Sequence, residues 1–333
     1  METEPRITLA HGNGGRLMRE LIEGCFAAHL GPGLDTEVDA APVALPPGEV
    51  VVTTDGFVVQ PLTFPGGDIG SLAVHGTVND LAVAGADPVA LTVAAVVEEG
   101  LPLAELEAIA RSLAHAAAAC GVAVVAGDTK VVGRGEGGGL YLTTTGVGVR
   151  PPEVRLGPAR VRPGDRLLVS GSIGDHGTAV MLAREQFGLR GELASDSAPL
   201  LAPARALRAL PGVRFLRDPT RGGLATVCHD LVRTTGLGVR LEEAAIPVRP
   251  QVASVCEMLG YDPYYLACEG RLVAAAAPEA AAAALDALRA AGCPEAAVIG
   301  TVVEGPPRVV LATPLGGERF LEELEDDPLP RIC

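Results

Sequence analysis

Residues 64–88 read FPGGDIGSLAVHGTVNDLAVAGADP, a run of small and apolar residues with an aspartate near its start and a glycine near its end. Aspartate caps helix N-termini and glycine ends helices, so the run predicts a helix from about Asp68 to Ala84. Asn79 and Asp80 lie inside it between apolar neighbours. A buried carboxylate is costly unless it is paired or bound to a metal ion, so Asp80 is predicted to be functional.

Strand and helix patterns alternate on both sides of this helix. Before residue 151 we predict a helix over 16–30, strands over 50–54, 91–97, 122–126 and 140–149, and a helix over 104–120. After it we predict strands over 166–170, 238–241 and 270–276 and helices over 177–186, 198–209, 219–234 and 278–291. The alternation is typical of an α/β (α+β) protein.

Proline and glycine clusters divide the 333-residue chain, which is long enough for two cores. The predicted segments are a Gly-rich stretch and helix at 1–48, an N-terminal domain at 49–150, a C-terminal domain at 151–312 and a tail at 313–333. The tail contains acids and prolines and ends in a cysteine. We expect it to be extended and mobile.

Composition and charge exclude several classes of protein. The formal net charge is −15 and there is no basic run, so neither nucleic acid nor an acidic membrane surface is an expected partner. No apolar run approaches the roughly 20 residues that span a bilayer, and the N-terminus lacks a signal-peptide pattern, so we expect a cytoplasmic protein. The seven cysteines include no C-x-x-C pair, which argues against a disulfide framework and a zinc site.

Three aspartates, Asp55, Asp80 and Asp128, are candidate ligands for a metal ion. Asp55 and Asp128 follow predicted strands, where α/β proteins place their ligand-binding side chains. Carboxylates are oxygen ligands that Mg²⁺ prefers, usually together with water and nucleotide phosphates. The set therefore predicts a Mg-nucleotide site. For Asp55 or Asp128 alone, a turn-forming role would be the better explanation.

Two glycine-containing turns are candidate phosphate sites. The segment HGNGG contributes His11, Gly12, Gly14 and Gly15 in front of a predicted helix, where backbone N–H groups suit a phosphate. A flexible turn is the alternative. Asp218 and Pro219 in RDPTRGGLATV resemble a helix N-cap followed by proline in the first turn. That structural role suffices, although the same helix start could face a phosphate.

Three further residues carry groups that could react. Lys130 is the only lysine in the chain, and it would supply a point charge for phosphate or, when desolvated, accept a proton. An ordinary surface lysine is the alternative. Glu269 precedes an apolar strand, and alone it would be solvated. Cys333 is the last residue, and a thiol on a mobile tail is suited to carrying a covalent group.

Taken together, the motifs resemble those of a known family. The segments TTDGFVVQP, residues 64–88, GDTKVV, DPTRGGLATV and the terminal PRIC occur in this order. From His11 to Cys333 the chain resembles the HypE family of hydrogenase maturation factors, which belongs to a wider superfamily with aminoimidazole ribonucleotide synthetase. The resemblance implies a two-domain aminoimidazole ribonucleotide synthetase-like fold, with ATP in a cleft and N-terminal, ATP-binding domains that pair into a homodimer.

The resemblance also implies a reaction. A HypF-type carbamoyltransferase would place a carbamoyl group on the terminal thiol, ATP would drive its dehydration to thiocyanate, and a HypC–HypD complex would accept the cyano group for nickel–iron hydrogenase. The implied site residues are Asp55, Asn79, Asp80 and Asp128 for Mg-ATP, Lys130 and Glu269 as base or orienting groups, and Cys333 as carrier.

Two other functions stay open from the sequence. A small-molecule kinase or selenophosphate synthetase would share the fold, but such synthetases carry a reactive cysteine or selenocysteine with a lysine near the N-terminus, and HGNGG has neither. A scaffold that binds ATP without turnover would not require Lys130, Glu269 and the three aspartates together.

Overall fold

A computed structural model describes residues 4–31, 34–184, 192–325, 329 and 331–333 of the chain. The elements before residue 151 are α1 Arg16–Leu21, a π-helical segment Ile22–Ala27, α2 Ala28–Leu30, β1 Glu49–Phe57, β2 Thr63–Phe64, β3 Gly67–Asp68, α3 Ile69–Val83, β4 Asp87–Glu98, α4 Leu103–Cys120, β5 Ala123–Val132 and β6 Leu140–Arg150. The predicted helix within 64–88 is confirmed as α3. Asp68 caps it, because its carboxylate accepts hydrogen bonds from the N–H groups of Gly70 and Ser71 at 2.8 and 2.9 Å.

The N-terminal domain is built on a four-stranded sheet with strand order β1-β6-β4-β5. β4 and β5 are parallel, and the other two pairs are antiparallel. α3 packs against β1 and β6 of this sheet and against α4. β1 and β5 are therefore the two edge strands of the sheet. Candidate site residues on these two strands lie at opposite edges.

Two predicted strand ends are wrong. β1 continues past Thr54 to Phe57, and β5 continues past Ala126 to Val132. Asp55 and Asp128 consequently lie within strands, level with Thr144 of β6 and Ala94 of β4 respectively, and do not form turns. The polar residues do not end these strands because neighbouring strands supply hydrogen-bond partners for their backbone.

The C-terminal domain is built on a seven-stranded sheet with strand order β13-β12-β9-β11-β7-β10-β8. Its elements are β7 Arg166–Val169, α5 Asp175–Ala183, α6 Leu201–Arg208, β8 Val213–Arg217, α7 Gly223–Thr235, β9 Gly238–Glu242, α8 Pro250–Leu259, β10 Val273–Ala276, α9 Ala281–Ala290, β11 Ala297–Val303, β12 Val309–Ala312 and β13 Glu318–Phe320. Residues 185 and 186 of the helix predicted over 177–186 lie outside the described residues.

Two further predictions in this domain are corrected. α7 begins at Gly223 and not at residue 219, because Gly222 adopts a left-handed conformation with φ of +72° and serves as its N-cap. Residues 318–320, which the sequence assigned to the tail, form β13 and pair with β12. Residues 318–320 form a strand because they pair with β12, and this tertiary contact is not visible in the local sequence.

The two domains share an apolar core. One cluster of buried side chains runs from the α3 residues Leu72 and Val74 to Leu168 of β7 and Leu288 of α9. A second cluster occupies the other side of the C-terminal sheet and includes Val169 of β7. None of the helices in the described ranges is long and apolar enough to cross a bilayer.

The last residues of the chain lie against the segment that follows β1. The Val58 N–H donates to the Cys333 carbonyl at 3.1 Å, and the Gln60 N–H donates to the Arg331 carbonyl at 3.3 Å. The side chain of Ile332 is buried between these contacts. Residues 326–328 and 330 of the predicted tail lie outside the described residues. In this structure the terminal cysteine is docked at the junction of the two domains.

Candidate functional site

A pocket between the two domains collects side chains from distant parts of the chain. It is lined by Asp55, Gly56 and Phe57 of β1, Gly76 and Asp80 of α3, Asp218, Thr220 and Arg221 after β8, Glu269, and Cys333. We call it the acidic pocket, because four of its lining residues are carboxylic acids. The structure thus brings together five of the predicted site residues, namely Asp55, Asp80, Asp218, Glu269 and Cys333.

Asp55 and Asp80 meet because strand and helix periodicities agree. Alternate residues of a strand share one face, so Thr53 and Asp55 both point from β1 toward α3. Thr77 and Asp80 are three residues apart and share one face of α3. The Thr53 hydroxyl donates to the Asp80 carboxylate at 2.6 Å, and the Thr77 hydroxyl donates to the Asp55 carboxylate at 3.1 Å. These crossed hydrogen bonds fix both carboxylates at the contact between strand and helix.

Burial raises the pKa values of the acids in the pocket, and for Asp55 and Asp218 repulsion from Asp80 adds to it. Burial, followed by repulsion from Asp80, raises the pKa of Asp55 to about 6, while Thr77 and Arg221 oppose the increase. Burial, again followed by repulsion from Asp80, raises the pKa of Asp218 to about 7. Burial also raises the pKa of Asp80 itself. A bound cation would relieve this repulsion and favour the charged carboxylates.

Glu269 is the most deeply buried acid of the pocket, with 2% of its surface exposed. Burial, then repulsion from Asp218 and Asp196, raises its pKa well above the ordinary value. Its Oε1 has no hydrogen-bond partner among the described residues. Asp196 fixes its backbone, since that carboxylate accepts from the N–H groups of Glu269 and Gly270 at 3.3 and 3.2 Å. Such a carboxyl can donate to a ligand when protonated and accept a proton when ionised.

Asn79 does not lie in the pocket, contrary to the predicted nucleotide-binding role. Its side chain is 1% exposed. Its carboxamide donates to the carbonyls of Ala198 and Glu269 at 3.0 and 3.2 Å, and it accepts from the Leu200 N–H at 2.7 Å. Every one of these partners is backbone of the C-terminal domain. Asn79 therefore joins the two domains and helps to hold Glu269 in position.

Asp128 and Lys130 are also absent from the pocket, because they lie on β5, the edge of the sheet opposite Asp55. The strand registers place Asp128 level with Gly56, three strand spacings or about 14 Å away across the sheet. The Asp128 and Lys130 side chains are 57% and 62% exposed and form an ion pair at 2.7 Å. The hydrogen bond from Lys130 lowers the pKa of Asp128. One chain therefore does not form the predicted site of three aspartates.

The HGNGG segment lies against β5 and does not line the acidic pocket. A Cβ on Gly12 would lie 2.8 Å from the Cβ of Val131, so close packing on β5 accounts for glycine at that position. His11 is engaged locally, since its Nδ1 lies 3.0 Å from the Thr8 backbone nitrogen and 2.9 Å from the Thr8 hydroxyl. Gly14 adopts a φ of +73°, and Gly15 is the N-cap of α1. The predicted phosphate-binding loop therefore lies against β5, the edge strand that also contains Lys130.

Thr220 and Arg221 also line the pocket, but they were not among the predicted site residues, although they belong to the motif DPTRGGLATV. The helix predicted over 219–234 placed both residues in a helical first turn. Gly222 delays the helix to Gly223, which leaves the two side chains in the loop that lines the pocket. Two consecutive glycines directly after an arginine were the available signal, because glycine is tolerated at positive φ, where other residues are strained.

No three His, Cys, Asp or Glu side chains in the described part of the chain converge closely enough to hold a metal ion by themselves. The oxygen donors and mutual repulsion of Asp55, Asp80 and Asp218 nevertheless fit a hard cation. Mg²⁺ commonly takes one or two carboxylates and completes its shell with phosphates and water. The pocket is therefore suited to a Mg-nucleotide complex and not to a metal ion alone.

Comparison with known proteins gives consistent matches. The family models for the N-terminal and C-terminal domains of AIR synthase related protein match residues 37–150 and 162–312. Carbamoyl dehydratase HypE of Azotobacter vinelandii is 51% identical over 331 residues, 98% of this chain and 97% of that protein. These matches confirm the predicted two-domain fold.

Solved structures also match this chain over nearly its whole length. A hydrogenase maturation protein HypE in complex with ATP is 42% identical, with a TM-score of 0.93 over 98% of this chain and 99% of that chain. A chain of a HypE–HypF complex is 38% identical, with a TM-score of 0.80 over 93% of this chain and 100% of that chain.

Proposed function

Because this chain belongs to the HypE family, whose curated members include carbamoyl dehydratases, we propose that it removes water from a carbamoyl group held on its own Cys333 thiol. ATP drives the reaction, and the product is a thiocyanate. One observation carries the proposal: Cys333 lines the same pocket as Asp55, Asp80, Asp218 and Glu269. The terminal thiol thus shares a pocket with the residues that we propose for binding Mg-ATP and for proton transfer.

The carbamoyl oxygen must leave, and it is a poor leaving group until it is phosphorylated. In the proposed sequence this oxygen attacks the γ-phosphorus of ATP, ADP departs, and one N–H proton is lost. The carbon–oxygen bond then breaks and inorganic phosphate leaves with the oxygen. The second N–H proton is lost as the carbon–nitrogen triple bond forms. The products are the thiocyanate on Cys333, ADP and phosphate.

Asp55, Asp80 and Asp218 are the residues that we propose for holding Mg-ATP. Burial, followed by repulsion from Asp80, raises the pKa of Asp55 to about 6 and of Asp218 to about 7, so a cation between them is favourable. When bound, Mg²⁺ would offset charge on the transferring phosphoryl group. Arg221 is the basic side chain that lines the pocket, and it can stabilise charge that develops on the phosphoryl oxygens.

Glu269 is the group that we propose for proton transfer. It is in the pocket with Cys333, and its Oε1 has no hydrogen-bond partner among the described side chains and backbone. Its raised pKa makes its ionised form a stronger base than an ordinary carboxylate. Lys130 lies at the opposite edge of the sheet, bound to Asp128, and does not reach this pocket within one chain.

A second copy of the chain would bring Lys130 to the pocket. β1 and β5 are the unpaired edges of the four-stranded sheet, and β1 exposes Val50 and Val52, which are 49% and 61% accessible. Unpaired edges and exposed apolar side chains favour association. If β5 of one copy pairs with β1 of the other, Asp128 and Lys130 of the first copy lie beside Asp55 of the second. We propose this homodimer as the active form.

Two partners follow from the proposed reaction. The carbamoyl group requires a donor enzyme, and the complex of a similar HypE chain with HypF supports a HypF-type carbamoyltransferase. The thiocyanate requires an acceptor, for which we propose a HypC–HypD complex that delivers cyanide to hydrogenase iron. Both steps require Cys333 to leave the acidic pocket.

A single-turnover experiment tests the proposed reaction. Chain that carries a carbamoyl group on Cys333 is mixed with Mg-ATP, and released phosphate is measured. We expect one phosphate per carbamoyl group in wild type and none from Cys333→Ser after the same treatment. Cys293→Ser is the matched control, because that half-buried thiol lies outside the pocket. Phosphate release from Cys333→Ser equal to that of wild type would reject the carrier role.

A subunit-mixing experiment tests the homodimer. Lys130→Ala and Glu269→Gln are each expected to be inactive alone. If each site takes Lys130 from one copy and Glu269 from the other, re-equilibrated mixtures should recover about a quarter of wild-type activity, because half the dimers are mixed and each has one intact site. A mixture as inactive as its components would show that both residues act within one chain.

A further inference from the structure

His176 on α5 is a buried polar residue that the proposed chemistry does not use. None of its surface is exposed, and both ring nitrogens have partners. Nδ1 lies 2.8 Å from the Ser195 hydroxyl, and Nε2 lies 2.8 Å from the carbonyl oxygen of Ile332. The residue that follows Ile332 is Cys333. His176 therefore contacts the peptide group that places the carrier thiol.

The partners of His176 determine its tautomer. A carbonyl oxygen only accepts hydrogen bonds, so Nε2 carries the proton and donates a hydrogen bond to the Ile332 carbonyl. Nδ1 then accepts from the Ser195 hydroxyl, whose oxygen in turn accepts from the Ser197 N–H at 3.0 Å. Burial lowers the pKa of His176, which keeps the ring neutral as this arrangement requires. The Ile332 carbonyl thus sets the tautomer, and the Ser195 hydroxyl supports it by donating to Nδ1.

The surroundings fix the ring in this orientation. Phe64 packs edge-on against it, with ring centres 5.3 Å apart. Ser195 is itself fixed, because its N–H donates to the Pro65 carbonyl at 2.7 Å. Arg184 completes the arrangement, since its guanidinium donates to the carbonyl of Gln60 at 2.6 Å and also to that of Arg331. The tail is held through its backbone, which leaves the Cys333 side chain to line the pocket.

We propose that His176 is a positioning residue that holds the C-terminal segment in the acidic pocket through the carbonyl of Ile332. The functional importance of this contact rests on the proposed function, in which the thiol must lie in the pocket for dehydration and must leave it to react with its partners. The bond from His176 is one neutral hydrogen bond among the backbone contacts of the tail, so it favours docking at a cost that still permits release. The hold itself can be measured without any catalytic step.

The test is the rate at which a maleimide modifies Cys333, followed by mass spectrometry of the C-terminal peptide in the absence of ATP. His176→Phe keeps an aromatic ring but removes the donor. We expect the Cys333 modification rate to rise about fivefold to tenfold, as the loss of one buried hydrogen bond implies. His176→Gln, which retains an N–H donor, should return the rate toward that of wild type.

Two controls separate docking from general loosening. His229→Phe is the matched variant, because His229 Nε2 also contacts a backbone carbonyl, that of Leu321, at 2.8 Å and away from the pocket. It should leave the Cys333 rate unchanged. Cys293 is half-buried in the C-terminal domain, so its modification rate reports unfolding of that domain in every variant.

A second measurement applies even where a His176 variant does not fold. In wild type, nitrogen-correlated NMR of the imidazole rings should show hydrogen-bonded Nε2 protons for His176 and His229, and the signal of the two that remains in His229→Phe belongs to His176. Deletion of residues 332–333 should shift that signal and leave the others in place. Folded His176→Phe with a wild-type Cys333 rate, or a ring signal insensitive to the deletion, would overturn the proposal. Neither result depends on whether dehydration occurs.

Discussion

Replacement of Asp218 by asparagine should stabilise the nucleotide-free protein at alkaline pH while it weakens Mg-ATP binding. Asp218 is 8% exposed and is repelled by Asp80 and Asp55. Its pKa in the folded protein lies above its pKa in the unfolded chain, so the folded state binds more protons between about pH 4 and pH 7. Stability therefore decreases as the pH rises through that window. Asparagine does not ionise and removes this contribution to the decrease.

The size of the effect follows from the pKa of the buried group. A carboxyl with a pKa of about 7 in place of 3.8 has its charged form disfavoured by about 4 kcal/mol. Asp80 and Asp55 share part of this repulsion and still ionise in the variant. We therefore expect Asp218→Asn to increase the free energy of unfolding at pH 8.5 by on the order of 2 kcal/mol.

The assay is urea unfolding of both proteins at pH 5 and pH 8.5, without nucleotide or Mg²⁺. Asp87→Asn is the control with the opposite sign. Although burial opposes it, hydrogen bonds from Arg208 and Arg205 lower the pKa of Asp87, so its charge stabilises the folded state throughout this pH range. Asp87→Asn should lower stability equally at both values. Equal stability differences at both pH values for Asp218→Asn would refute the reasoning about the acidic pocket.

Three further substitutions have expected outcomes. Glu269→Gln should retain ATP affinity in equilibrium binding but lose about 10² to 10⁴-fold in the rate of thiocyanate formation, because it cannot accept a proton; a rate within a few-fold of wild type would remove Glu269 from the mechanism. Asn79→Ala should lower the free energy of unfolding by about 2 to 3 kcal/mol, since it leaves buried backbone groups without partners, whereas ATP affinity of the folded protein should change little; the reverse pattern would restore the predicted nucleotide-binding role. Arg221→Ala should slow phosphate release more than it weakens ATP binding, and Arg221→Lys should recover part of the rate; equal losses in both measurements would indicate a role in binding alone.

The sequence predicted those features of the fold that depend on local signals. The helix within 64–88 was located to within a residue because Asp68 caps it and a glycine follows it. The ends of β1 and β5 were predicted incorrectly, because pairing with β6 and β4 extends these strands past Asp55 and Asp128. Strand pairing over long sequence distances leaves no local mark on the residues concerned.

The composition of the candidate site was predicted more completely than its geometry. The resemblance supplied Asp55, Asp80, Glu269 and Cys333, and the structure places all four in one pocket. It also placed Asp128 with them, which the sheet order of a single chain does not allow. Neither a strand order nor a second copy can be seen in one sequence.

Contacts between domains account for the remaining differences. The polar groups of Asn79 are engaged by the C-terminal domain, although its position beside Asp80 suggested a shared ligand. The proposed role of His176 depends on its contacts with Ser195 and Ile332, neither of which is near it in the chain. Such assignments require the tertiary structure.

The most direct test of the proposed dehydration follows the carbamoyl oxygen. Chain with a heavy-oxygen-labelled carbamoyl group on Cys333 is incubated with Mg-ATP, and both the protein and the released phosphate are weighed by mass spectrometry. We predict that the protein loses the mass of one labelled water and that the label appears in inorganic phosphate. A label that stays on the protein while ATP is hydrolysed, or that leaves without entering phosphate, would contradict the mechanism.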